Sequence, residues 1–191
     1  MIILLSSLFG GFFAFLAVWA ILARSEVIAV SQPQPTFEPG SWWRLALLLL
    51  IMAIIEEGLF RWLIIGQGRH FIHLGPAFVL SLILFAVAHR QNGPFTFFTT
   101  VNLLLVGLIL GVIFLWWGIW AAVAAHFGWN LGEWITGFTV SGEKTRSLLP
   151  APIQRRISAY PYGPESHWGA TLVMMICLAI LIIPGLARLV G

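Results

Sequence analysis

The chain has 191 residues, of which 60% are hydrophobic and only 9% charged, with a mean hydropathy of +0.96. A soluble domain averages about 25% charged residues, so this composition excludes an ordinary soluble enzyme and predicts a polytopic membrane protein. The net charge of +3 comes from basic residues scattered between apolar runs, which excludes a nucleic-acid-binding face, and the lone Cys177 excludes an internal disulfide.

In chain order, residues 1–23 predict a first membrane span. Ser6, Ser7, Gly10 and Gly11 within it let a neighbouring helix come close. No basic stretch precedes it, so it reads as a retained span rather than a cleaved signal. Residues 24–40 form a polar loop containing Pro33, Pro35 and Pro39. Trp42 and Trp43 mark an interface, and a second span runs to residue 65. A short loop with Arg69, His70 and His73 leads to a third helix. Pro76 suits its first turn, and it runs to His89.

Arg90, Gln91, Asn92, Gly93 and Pro94 break that helix. A fourth span covers residues 97–117, with Gly107 and Gly111 spaced for close packing, expected within the bundle rather than between copies. Trp116, Trp117, Gly118 and Trp120 predict a tight interfacial turn into a fifth span over 119–138. The longest polar stretch, 140–167, precedes a last span over 168–186. The expectation is therefore an all-α membrane protein of about six helices around a central polar cavity. It forms one integral membrane domain over 1–191, with a functional core at about 42–188. The loops after spans one, three and five hold Arg24, Arg44, Arg90, Lys144, Arg146, Arg155 and Arg156, against Arg69 and Arg188 opposite, which places both termini outside.

Ionisable groups inside spans cost at least about 2.5–3.5 kcal/mol each, so those present are paired or used. Glu57 and Arg61 are i,i+4 and share a helix face. Glu56 is turned by about 100° from Glu57 and is left to face a cavity. Phe85 and His89 repeat the i,i+4 spacing on span three, and His126 and Asn130 on span five, with Glu133 extending that stripe. A carboxylate beside an imidazole can hold and deprotonate a water, and a second imidazole with a carboxamide can donate to an oxyanion. No serine or cysteine stands beside them as a nucleophile. His, His and a carboxylate could instead bind zinc, although no H-E-x-x-H spacing is present. A carboxylate–His relay in a transporter, or a non-catalytic immunity or binding protein, uses the same residue types. Glu165 reads as a favourable charge at the N-terminus of the last helix.

Glu56-Glu57-x-x-x-Arg61, Phe85-x-x-x-His89 and His126-x-x-x-Asn130, in that order, resemble the three motifs of the CPBP (Abi) intramembrane proteases, which include the type II CAAX prenyl endopeptidases. Gly163-Pro164-Glu165-Ser166 is similar to the bacterial branch, and the resemblance implies a bacterial or archaeal cell membrane. The resemblance implies a glutamic-type intramembrane endopeptidase. In it Glu56 and His89 activate water, His126 and Asn130 stabilise the oxyanion, and Glu57, Arg61 and Phe85 support them. It implies no required cofactor or metal. Its partners are membrane lipid and a protein or peptide substrate, prenylated CAAX-type or otherwise. Family members often have more spans than the six read here. The depth of His89 on its short span further predicts that residues 90–95 dip inward and line the cavity.

Overall fold

The computed structural model describes residues 1–31, 42–140, 154–157 and 162–190. Pro33, Pro35, Pro39, Lys144 and Arg146 lie outside the described residues. The chain is mainly helical. Helix α1 spans Ile2–Arg24, α2 Trp42–Glu57, α3 Arg69–Ile72, α4 Leu74–His89, α5 Phe97–Trp117, α6 Ile119–Ile135 and α7 Trp168–Val190. Among the described residues, three helical stretches are long and apolar enough to cross a membrane: Ile2–Arg24, Leu74–Asn92 and Phe97–Trp117.

The helix ends follow from local chemistry. Thr96 caps α5, its Oγ accepting from Thr99 N at 3.1 Å while its own N–H donates to Thr99 Oγ1 at 3.2 Å. Gly118 takes φ +84 and allows the abrupt turn from α5 into α6. Helix α6 stops at Ile135, short of the expected residue 138. There Thr136 folds its hydroxyl back onto Gly132 O at 2.8 Å, and Gly137 turns the chain at φ +89.

Two features depart from the expected all-helical spans. After Glu57 the second helix widens into a π-type segment, Gly58–Gln67. There the Phe60 carbonyl accepts the Ser81 hydroxyl of α4 at 2.7 Å. Two segments read as loop, β1 (Ile28–Ser31) and β2 (Gln154–Ile157), pair antiparallel, with Ile28 opposite Ile157.

Helix α6 packs on α1, α2 and α5, and α5 also packs on α4 and α7. The α1–α6 contact is the closest approach. A Cβ on Gly11 would run into the Ala125 carbonyl, and one on Gly128 into the Leu8 carbonyl. Gly107 and Gly111 seat Leu82 and Phe78 of α4, so their spacing serves packing within the chain. Large apolar side chains such as Ile55, Val79, Val87, Trp120 and Ile180 point outward, while Glu57, Arg61, His89, Asn102, His126 and Glu133 are buried. A bundle with an apolar outside and a polar interior is built for lipid, and the protein is an integral membrane protein.

Candidate active site

Three helices bring the predicted polar groups together. The last turn of α2 carries Glu56 and Glu57, the end of α4 carries His89, and the middle of α6 carries His126 and Asn130. Glu57 and Arg61 form a fully buried ion pair, with Oε2 3.2 Å from Nε. Arg61 also lies 4.4 Å from the Phe85 ring centroid and donates Nη2–H to Gly107 O at 3.3 Å. The expected pairing holds even though Arg61 sits in the π-type segment. Phe85 is shared further: its ring lies 4.4 Å from that of His89 and 6.3 Å from that of His126, and it meets Phe60 edge-on at 5.3 Å.

Glu56 lies between the imidazoles. Its Oε2 is 3.6 Å from His89 Nε2 and 3.8 Å from His126 Nε2. Both distances exceed a direct hydrogen bond, and Oε2 has no such partner among the described residues. The other ring nitrogens are committed. His89 Nδ1 donates to the Phe85 carbonyl at 2.9 Å, and His126 Nδ1 to Glu57 Oε1 at 2.8 Å. A carbonyl and a carboxylate only accept, so both Nδ1 atoms carry hydrogen. In the neutral rings both Nε2 atoms are then acceptors, as is the Glu56 carboxylate. Three acceptors converging without direct bonds suit a water molecule or a shared proton.

A cavity of about 770 Å³ adjoins this cluster, lined on its polar side by His89, His126, Asn130, Tyr162 and Glu165. Most of its remaining wall is apolar and comes from α1, α5 and α7. Glu56, about one-fifth exposed, is not among the side chains that line this cavity, whereas the two imidazoles beside it are. Residues 90–95 do not line the cavity either. Gly93 instead packs against the Tyr162 ring, which does line it.

The turn before α7 was the least legible part of the site. Glu165 is not an exposed charge at a helix end: it is 5% exposed, and its Oε1 accepts Trp129 Nε1–H at 3.2 Å. Burial pushes its carboxyl above the ordinary range, partly offset by hydrogen bonds with its own backbone, with Trp129 and with Glu133. Asn102 of α5 fixes the turn, donating Nδ2–H to Glu165 O at 2.7 Å and His167 O at 3.2 Å, while Thr171 donates to its Oδ1 at 2.7 Å. Thr99 and Ser166 hydroxyls meet at 2.9 Å. In the sequence the only sign of this anchor is polarity at Thr99 and Asn102 inside an apolar run. Among the described residues, no group of three or more His, Cys, Asp or Glu side chains is arranged to hold a metal ion.

A family model described as type II CAAX prenyl endopeptidase Rce1-like matches residues 38–132, about half of the chain. That range includes Glu56, Glu57, Arg61, Phe85, His89, His126 and Asn130, and excludes Tyr162 and Glu165. No curated protein and no solved structure matches the chain.

Proposed function

The chain belongs to the type II CAAX prenyl endopeptidase Rce1-like family, and from that premise we propose that it is a glutamic-type intramembrane endopeptidase. In this reading it forms one membrane domain of six spans with its protease core at about 42–188. The observation that carries the proposal is the convergence of Glu56 Oε2 with Nε2 of both His89 and His126 at 3.6 and 3.8 Å.

Glu56, assisted by His89, takes a proton from a water held between them. The resulting hydroxide adds to the scissile carbonyl carbon, and the carbonyl π pair moves onto oxygen. Asn130 Nδ2–H donates to that oxyanion. His126 donates only with Nε2 protonated, because Nδ1–H is spent on Glu57. Collapse breaks the C–N bond, and the proton held at Glu56 passes to the departing amine. Arg61 pairs with Glu57 and holds it in place, and Glu57 and Phe85 hold the imidazole orientations.

The mainly apolar cavity, about 770 Å³, falls within the range of roughly 300–1,000 Å³ seen for ligand pockets. An isoprenoid chain beside a C-terminal peptide fits that lining, so the substrate class is a prenylated CAAX-type protein. The test is cleavage of a farnesylated CAAX reporter peptide by the protein in lipid nanodiscs. Glu56→Gln is expected to lower the rate by about 10²–10⁴-fold with insertion intact, and a chelator to leave the wild-type rate unchanged. A Glu56→Gln variant cleaving at the wild-type rate overturns the assignment. Loss of wild-type activity on chelation favours a metal-dependent hydrolase instead.

A further inference from the structure

Helices α1 and α7 run antiparallel and pack together toward one end. Phe15, Val18 and Leu22 of α1 cluster with Ala170, Val173 and Met174 of α7, and a Cβ on Gly169 would stand 2.8 Å from Ile21 Cγ2. Toward the start of α1 and the end of α7 the same two faces part. Ile3, Ser6 and Gly10 continue the α1 stripe at helical spacing, Ile176 and Ile180 continue that of α7, and all five line the cavity instead of each other.

The gap is fixed by how α1 is seated. Gly11 and Gly128 bring α1 and α6 together backbone to backbone, which holds α1 on α6. Gly10, turned by about 100° from Gly11, is exposed and has nothing within 4 Å of where a Cβ would be. Ile3, Ile176 and Ile180 line the cavity and are also exposed on the outside of the bundle. Side chains that do both mark an opening, and in an integral membrane protein an opening between two apolar helices faces lipid. The other end holds the chemistry. His89, His126 and Asn130 stand in the cavity wall, and Asn130, 3% exposed, makes no side-chain hydrogen bond among the described residues. Leu103 and Trp117, both in that wall, lie fourteen residues apart on α5, a run of about 21 Å at 1.5 Å per residue. A ligand that spans it carries an amide at one end and a long apolar chain reaching lipid at the other. A glycerophospholipid has the chain without the amide, and an unmodified peptide has the amide without the chain.

Resting on the protease reading above, we propose that the α1–α7 gap is the portal through which a prenylated substrate enters from the bilayer, that its isoprenoid chain lies there during cleavage, and that Gly10 is a specificity-determining residue whose missing side chain makes room for it. Both helices lie outside residues 38–132, so the portal is built from parts of the chain beyond the family match.

Cys177, the single cysteine, stands in the wall of the gap and is a native probe of it. The test follows N-ethylmaleimide labelling of Cys177 in nanodiscs, in Glu56→Gln protein so that the reporter is not consumed, with the farnesylated reporter and with the same peptide unprenylated. An isoprenoid in the gap shields the thiol, so labelling is expected to slow by about tenfold at a farnesylated-reporter concentration about ten times its Kd, with no slowing by the unprenylated peptide. With Glu56 intact, Gly10→Leu is expected to raise KM for the farnesylated reporter by about tenfold or more while kcat stays within about twofold. Labelling that is the same, fast or absent, with and without the farnesylated reporter overturns the proposal whether or not Gly10→Leu folds, and its absence in both means that bilayer lipid fills the gap. Equal shielding by the unprenylated peptide overturns it as well, as does a folded Gly10→Leu variant with unchanged KM. Cleavage by the wild type without shielding of Cys177 sinks this inference alone. Shielding without cleavage by the wild type sinks the protease reading and leaves a prenyl-binding gap.

Discussion

Arg61→Met measures what the buried ion pair contributes. Arg61 and Glu57 are both fully buried, 3.2 Å apart at Nε and Oε2. Methionine replaces much of the arginine stem, so packing is largely kept. The variant loses the ion pair, the stacking on Phe85 at 4.4 Å and the bond to Gly107 O, and strands a carboxylate whose other hydrogen-bond partner is His126 Nδ1 at 2.8 Å. Breaking a buried pair from one side costs about 3–5 kcal/mol, because the remaining charge stays out of water. At about 2–4 °C per kcal/mol for a chain of this size, the melting midpoint falls by about 6–20 °C. Adding Glu57→Gln removes the stranded charge, and the new amide oxygen still accepts from His126. The double variant is therefore expected to melt above Arg61→Met alone, recovering on the order of 1–4 kcal/mol. Thermal unfolding of the four proteins of this cycle, in one detergent at one pH, reads the coupling directly. Losses that simply add, or a double variant less stable than either single, would refute the pairing as an energetic unit.

Two further predictions use the same unfolding assay. Gly128→Ala and Gly11→Ala each push a methyl into a facing backbone carbonyl, so each is expected to cost about 1–3 kcal/mol. Gly10→Ala, with nothing within 4 Å of its Cβ, should stay within about 0.5 kcal/mol of wild type; equal effects at Gly10 and Gly128 would contradict the α1–α6 contact. Glu165→Gln probes the buried carboxyl. Its folded-state pKa is raised, so between the ordinary value of 4.5 and the raised one the folded protein holds the extra proton, and wild-type stability falls as pH rises through that window. The midpoint of Glu165→Gln minus that of wild type should therefore grow from pH 4.5 upward and then level off, and a difference independent of pH would rule the raised carboxyl out.

The parts of this molecule that sequence makes legible are those whose determinants are local. Helix α5 runs over the span that the sequence predicts because a threonine cap and a turning glycine bound an uninterrupted apolar run. The pairing of Glu57 with Arg61 and the shared faces of Phe85 with His89 and His126 with Asn130 are properties of one helix at a time. What was hidden depends on groups distant in sequence. The β1–β2 ladder joins residues more than a hundred positions apart through four-residue strands with no periodic signal of their own. The burial of Glu165 rests on Trp129 and Asn102, from two other helices. A carboxylate ahead of a helix reads as a solvated end charge until those partners are known. The position of Glu56 between two imidazoles was hidden as well, because a helical wheel gives direction but not what stands in that direction.

Chemistry and shape are supplied by different portions of the chain. Glu56, His89, His126 and Asn130 all fall within residues 38–132, the portion that matches the endopeptidase family model. Much of the apolar wall of the cavity comes from elsewhere: Ile2, Ile3, Phe13 and Ala17 of α1, and Met174 and Ile180 of α7. These side chains are apolar and make no fixed polar contact to the reacting groups, so substitutions among them change the volume and outline of the cavity with little direct effect on proton transfer. The Tyr162–His167 turn is the exception. It lies outside residues 38–132, yet it is locked to α5 by Asn102 and Thr99 and reaches the cavity beside His89 and Asn130. A change of substrate therefore has a route through α1 and α7 that leaves the water-activating cluster intact, whereas any change that loosens the Asn102 anchor moves the cavity's polar wall and its apolar lining together.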